Sequence, residues 1–201
     1  MENALVIMIK NPVAGKVKTR LASEIGEEMA LKVYKYLLSI TQKISSEVSA
    51  DKFVFYSDVV DRYDEFNPAV FKKYVQCSGE LGVRMDYAFS IPFKNEYSKV
   101  IMIGSDCPEI SASIIETAFE KLSTHDFVLG PADDGGYYLI GMKRWNRWLF
   151  ENKSWSTPSL FEETKNEILQ RNGQLFILDQ LSDIDTIEDL QHFPELLEII
   201  R

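Results

Sequence analysis

The sequence predicts one α/β domain: a mostly parallel, mixed sheet with helices on both faces. Three observations predict it. The runs Ala4–Ile9 and Val100–Ile103 are continuously apolar, as strands covered on both sides must be. Amphipathic stretches of helical length separate the strand-like segments. Strand-like and helix-like patterns alternate along most of the chain, which is the signature of crossover units. A length of 201 residues suits a single domain spanning 1–201, and no repeat, linker or composition shift divides it.

Ala4–Ile9 is the expected first strand. The stretch from about Gly26 to Val48 places Met29, Val33, Leu37, Ile40 and Ile44 on one helical face, making it the first helix. Lys52–Ser57 and, more weakly, Val70–Gln76 read as strands, followed by a helix over about Gly79–Phe93. Lys99–Ile103 is the next strand. Ser113 with Glu116 three places on forms a capping box that opens a helix ending near Ser123. Phe127–Gly130 and Tyr137–Gly141 read as strands joined by a loop. Thr157, followed by Pro158 in the first turn, starts a helix that reaches Asn172-Gly173. Gln174–Leu178 is the last strand, and Asp185 caps a closing helix with Glu188 at its third position.

The composition is that of a globular chain, 45% hydrophobic and 26% charged. No stretch approaches membrane-spanning length, and Ala4–Ile9 is too short for a signal-peptide core. Cys77 and Cys107 form no Cys-x-x-Cys pair, so both are expected as buried thiols in a reducing cytoplasm. The 22 Lys and Arg against 31 Asp and Glu give a net charge of −9, which disfavours nucleic acid as a partner. Against that background Lys10, Lys16, Lys18 and Arg20 fall within eleven residues, with no acid before Glu24.

Four segments carry candidate chemistry. Val100–Ile103 delivers Asp106 to the end of a buried strand, where ligands of open α/β sheets bind and where a carboxylate can grip a divalent cation; as a bare motif it equally starts a turn. In Lys10-Asn-Pro12-Val-Ala-Gly15-Lys16-Val-Lys18-Thr-Arg20, Gly15 permits close backbone approach to an anion, and Lys16, Lys18 and Arg20 reach oxygens; a solvated basic loop is the competing interpretation. The ending Gly-Lys-[Ser/Thr] of a Walker loop is absent. Pro131-Ala-Asp-Asp134-Gly135-Gly136 is a hairpin signal. Its glycines also leave backbone donors open to a hydroxyl-rich or phosphorylated ligand, with Asp134 accepting from sugar hydroxyls. Asp183-Ile-Asp185 alternates in direction, so one carboxylate faces the site and the other caps the helix. Ser154-Trp155-Ser156-Thr157 offers an acceptor-pocket lining, or plain packing. His125 and His192 are isolated.

These motifs, with Gly79-Glu-Leu-Gly82-Val-Arg-Met85, Gly104-Ser-Asp-Cys-Pro108, Gly130–Gly141 and Asp183–Leu190, resemble those of the nucleotide-diphospho-sugar transferase superfamily, the Rossmann-like A-type glycosyltransferase fold. They are most similar to a bacterial group of glycosyltransferases associated with radical-SAM and selenium-domain genes. The resemblance implies a metal-dependent transferase, moving a glycosyl group from a nucleoside-diphosphate sugar to a small acceptor. Nucleotidyl transfer with pyrophosphate release is the alternative, and a non-catalytic nucleotide-binding protein is another. It implies Mg²⁺ or Mn²⁺ at Asp106 with Asp183 and Asp185, and nucleotide against Lys10, Pro12, Gly15, Lys16, Lys18, Arg20, Gly82, Gly135 and Gly136. The acceptor or sugar lies by Asp134 to Tyr138, with Asp106, Asp134 and Arg20 closest to the chemistry. No second Asp stands two residues from Asp106, Glu80 replaces an expected Asp, and the Gly-Gly turn of molybdenum-cofactor enzymes is missing.

Overall fold

A computed structural model describes residues 2–200. Seven strands form one sheet: β1 (Asn3–Ile9), β2 (Asp51–Tyr56), β3 (Phe71–Val75), β4 (Lys99–Ile103), β5 (Phe127–Pro131), β6 (Tyr137–Met142) and β7 (Leu175–Ile177). Their order is β3-β2-β1-β4-β6-β5-β7. β1 pairs in parallel with β2 and β4, and β2 with β3; β6 runs antiparallel to β4 and β5, and β7 is parallel to β5. From β1 the chain builds outward through β2 and β3, then returns to the other side of β1 with β4. A crevice opens at such a reversal, outside the carboxyl ends of the strands.

Helices α2 (Glu27–Glu47) and α4 (Ala112–Lys121) cover one face; α3 (Leu81–Lys94) and α5 (Leu160–Gln170) cover the other. The apolar run of β1 divides between them. Leu5, Ile7 and Ile9 pack with Tyr34 of α2 and Ile115 and Phe119 of α4, whereas Ala4 and Val6 pack with Met85 and Phe89 of α3 and Ile168 of α5. Both sides of β1 are therefore dry, and no polar alternation is tolerated there. A third cluster joins Leu21 of α1 (Thr19–Ile25) and Val33 and Leu37 of α2 to Ile184 and Leu190, the latter on α6 (Ile187–Gln191). The short helix α7 (Pro194–Leu197) adds Leu196 to it.

Strand boundaries fall within two residues of those expected. Helix starts differ more. Helix α1 was not anticipated; Gly26, at φ 85°, separates it from α2. Ser111, not Ser113, caps α4, its hydroxyl accepting from the Ile114 N–H at 3.3 Å, and Glu116 accepts from the Ser49 amide instead of closing a box. The helix expected at Thr157 begins at Leu160, because Thr157 and Pro158 lie in a turn packed against the β5–β6 hairpin. Thr186, not Asp185, caps α6 in a reciprocal box with Asp189. Cys107 is buried as expected, but Cys77 is only partly covered. No helix among the described residues is long and apolar enough to cross a membrane.

Candidate functional site

At the carboxyl end of β1, the buried hydroxyl of Tyr34 accepts from the Lys10 N–H at 2.9 Å, donates to the Lys10 carbonyl at 3.0 Å, and lies 3.3 Å from Ser105 Oγ. One side chain of α2 thus fixes the exits of β1 and β4. Burial, opposed by the Ser105 hydrogen bond, pushes this phenol upward, so it stays a neutral donor. Asn11 ties the same loop to the end of β2, its Oδ1 accepting from Asp58 N at 2.9 Å and its Nδ2 donating to Val59 O at 2.8 Å.

Lys18 sits at the start of α1 in the left-handed conformation, φ 48° and ψ 46°. That geometry turns its side chain inward, where only 3% of it is exposed. Its Nζ lies 2.9 Å from Asp106 Oδ1 and 3.1 Å from Asp185 Oδ1, and it donates to the Ile184 carbonyl. Asp106 Oδ1 makes its contact with Lys18 as an ion pair, without hydrogen-bond geometry, and is buried with no other partner among the described residues. The Asp106 carbonyl accepts from Ile184 N at 3.0 Å, which holds the two acidic loops together. Burial opposes the charge on Lys18, but the Asp106 and Asp185 carboxylates outweigh it and raise its pKa. Arg20 reaches Asp185 Oδ2 at 3.7 Å and is largely exposed. Asp183 is pushed up to about 7 by burial, reinforced by the charges of Asp106 and Asp134.

These groups line one cavity of about 540 Å³, the size of a small-ligand site. Lys10, Lys18, Arg20, Asp106, Asp134, Gly136, Asp183 and Asp185 all face it, so segments far apart in sequence do converge. Asp183 and Asp185 both border it, which corrects the expected division into one ligand and one helix cap. Ser156, Thr157 and Trp155 complete one wall.

Pro12, Gly15, Lys16, Gly82 and Gly135 are not part of its lining. Gly15 (φ 76°) turns the loop beside the Glu27 carboxylate, and Lys16 points to solvent. A Cβ on Gly82 would lie 2.4 Å from the Phe150 carbonyl and 2.8 Å from Trp155 Nε1, so this glycine serves helix packing. At Gly135 (φ 85°) a Cβ would meet the Pro158 carbonyl at 2.1 Å. Both glycines admit neighbouring protein, not a ligand. The Asp134 carboxylate accepts from Gly136 N at 2.8 Å and closes its own turn while still facing the cavity.

The three carboxylates offer hard oxygen donors, yet Lys18 Nζ stands between Asp106 and Asp185 where a cation would be held. Among the described residues, no group of three His, Cys, Asp or Glu side chains is arranged to hold a metal ion. As built, the carboxylates do not fit one.

Sequence patterns missed Gln76 and Arg84 in the lining. Gln76 donates from Nε2 to the carbonyls of Ile9 and Phe55, both at 3.0 Å, and its Oε1 accepts from Arg84 Nη1 at 3.2 Å. The Tyr137 hydroxyl is buried without a hydrogen-bond partner among the described residues. Arg84 lies inside the Gly79–Met85 motif, which was the available signal, and Gln76 had none beyond adjacency to it; Tyr137 falls within Asp134–Tyr138, where the acceptor is expected.

A profile of the family DUF2064, described as an uncharacterized protein conserved in bacteria, matches residues 40–157. No curated protein matches the chain in sequence. The crystal structure of a candidate nucleotide-diphospho-sugar transferase from Desulfovibrio desulfuricans G20 superposes with a TM-score of 0.87 at 27% identity, over 94% of this chain and 85% of that one. A 4-diphosphocytidyl-2C-methyl-D-erythritol synthase from Anaerococcus prevotii DSM 20548 gives 0.60 at 12% identity, over 98% and 96%. An inositol-1-phosphate CTP transferase from T. maritima gives 0.54 at 15%, over 100% and 96%. At such identities the last two establish shared architecture only.

Proposed function

The chain belongs to DUF2064, a family of uncharacterized proteins conserved in bacteria, and from that premise we propose that it is a nucleotide-utilising transferase whose donor is a nucleoside-diphosphate sugar and whose acceptor is a small hydroxyl-bearing molecule. The finer affiliation, with glycosyltransferases associated with radical-SAM and selenium-domain genes, is part of the same proposal. The observation that supports it is the cavity at the β1/β4 reversal, which gathers the basic loop and all three acidic loops. The 27% identical relative, a candidate for this activity, supports the sugar-nucleotide donor.

In such a transfer the acceptor oxygen bonds to the anomeric carbon while the bond from that carbon to the diphosphate oxygen breaks. Negative charge builds on the departing diphosphate. Arg20 and Lys10, at the cavity mouth, stabilise that charge more in the transition state than before it. Lys18 is committed to Asp106 and Asp185, so its role is to hold the acidic loops in register. Asp134 faces the acceptor and orients its hydroxyl. Asp183, whose carboxyl is held near 7, takes the proton. Mg²⁺ or Mn²⁺ at Asp106, Asp183 and Asp185 has no ready-made place, and no step is assigned to it.

The test is a donor screen on the full chain, with sugar nucleotides and nucleoside triphosphates each supplied with and without Mn²⁺. Slow release of a nucleoside diphosphate from one sugar nucleotide is expected. Pyrophosphate release from a triphosphate would instead establish nucleotidyl transfer. Metal-indifferent nucleotide binding with no turnover would make the protein a binding module.

A further inference from the structure

The charges around the cavity are not evenly matched. Lys18 and Arg20 both face carboxylates, whereas no carboxylate among the described residues pairs with Arg84, on the first turn of α3. Among the described residues its one side-chain hydrogen bond is the 3.2 Å contact to Gln76 Oε1, and its buried Nε has no partner. Chains seldom leave a guanidinium in this condition, since an unmatched buried donor is costly.

The surroundings sharpen the point. Both amide hydrogens of Gln76 are spent on the carbonyls that end β1 and β2, so its amide cannot flip and Oε1 is held toward Arg84. No side chain caps the start of α3 by a hydrogen bond and, apart from the exposed Glu80 at its N-cap, its first turn carries no acid, so the positive end of a 14-residue helix adds to the Arg84 charge. The lining that α3 adds beside Arg84, Leu81 and Met85, is apolar. In a protein of net charge −9, this is a local positive pole presenting donors.

We propose that Arg84 is the receptor for an anionic pair of oxygens on the ligand, a phosphate or carboxylate, and that Gln76 is the residue that positions it. The proposal rests on the cavity being the substrate site. A guanidinium offers two parallel N–H donors that match such a pair, which Lys cannot reproduce. The ligand is therefore gripped at the β1–β2 side of the cavity as well as near Arg20.

The test is calorimetric titration of the full chain with inorganic pyrophosphate, malonate, CTP and UDP-glucose, using wild type, Arg84→Gln, Arg84→Lys, Gln76→Leu and the Arg84→Gln/Gln76→Leu pair. Thermal melts check folding; where Arg84→Gln melts early, Arg84→Lys carries the comparison. Loss of one charge-assisted bidentate contact predicts an affinity drop of roughly ten- to a hundredfold in Arg84→Gln, with partial recovery in Arg84→Lys. Gln76→Leu should cost a few-fold, and nothing further once Arg84 is replaced, which a merely structural role would not produce. Pyrophosphate against malonate separates phosphate from carboxylate recognition. Nucleotide binding that stays within twofold in both Arg84 variants overturns the proposal and leaves the proposed function standing. Arg84-dependent binding of pyrophosphate or malonate with no nucleotide bound does the reverse. Failure of every probe to bind wild type overturns both.

Discussion

Replacing Lys18 by Met keeps an unbranched apolar stem and removes the ammonium that joins Asp106 to Asp185. Removing one partner of a buried ion pair costs about 3–5 kcal/mol. Here the two carboxylates remain 44% and 42% exposed, so water takes up part of the stranded charge and the loss falls to about 2–3 kcal/mol. For a domain of 201 residues that corresponds to a fall in melting temperature of roughly 5–10 °C. Differential scanning calorimetry at pH 7.5 measures it. Adding Asp106→Asn should restore part of the loss, because one unmatched charge is then gone. Millimolar Mn²⁺ should raise the melting temperature of Lys18→Met more than that of wild type, since Asp106 Oδ1 and Asp185 Oδ1 become available to a cation. A variant melting within a degree of wild type, or an equal Mn²⁺ response in both, would show that Lys18 is not the cation of this site.

Asp183→Asn tests the buried acid. Its carboxyl rises from 3.8 to about 7 on folding, so folding favours the protonated form; burial costs nothing below about pH 4, and the penalty grows as pH rises to 7. The upper bound above pH 7 is about 4 kcal/mol, so the Asn variant should gain several degrees in melting temperature at pH 8 and clearly less at pH 5; equal gains would refute the assignment. Ser111→Ala should destabilise by about 1 kcal/mol in urea titration and Ser113→Ala by under about 0.5 kcal/mol, with the reverse order returning the cap to Ser113. Gly135→Ala, at φ 85° with a Cβ 2.1 Å from the Pro158 carbonyl, should cost more than about 2 kcal/mol; a neutral outcome would mean that the hairpin and the Thr157–Pro158 turn separate readily.

The sheet was legible because its strands are simple. β4 coincides with the expected Lys99–Ile103, and β1 differs by one residue, since a strand dry on both faces shows as an unbroken apolar run. Caps were harder to place. At Ser111/Ser113, Thr157/Ser159 and Asp185/Thr186 two residues able to cap stand within two positions, and local extended or turn backbone selects between them. The acidic corners were visible as carboxylates following strands. The fate of Lys18 was not, because its inward turn depends on a left-handed residue and on acceptors more than 160 positions away. Arg84 was hidden for a similar reason: Gln76, the residue that holds it, is anchored by backbone carbonyls of two other strands.

The contact between Lys18 and the Ile184–Asp185 segment also has a temporal meaning. As the chain leaves the ribosome, β1 and β2 can pair early, while the ammonium waits for a carbonyl and a carboxylate made more than 160 residues later. Closing so large a loop is what finally seals the pocket. Polypeptides ending before residue 184 would therefore be able to make much of the sheet yet have no finished binding chamber, and proteolytic clipping just before Ile184 would silence the site before it melted the scaffold.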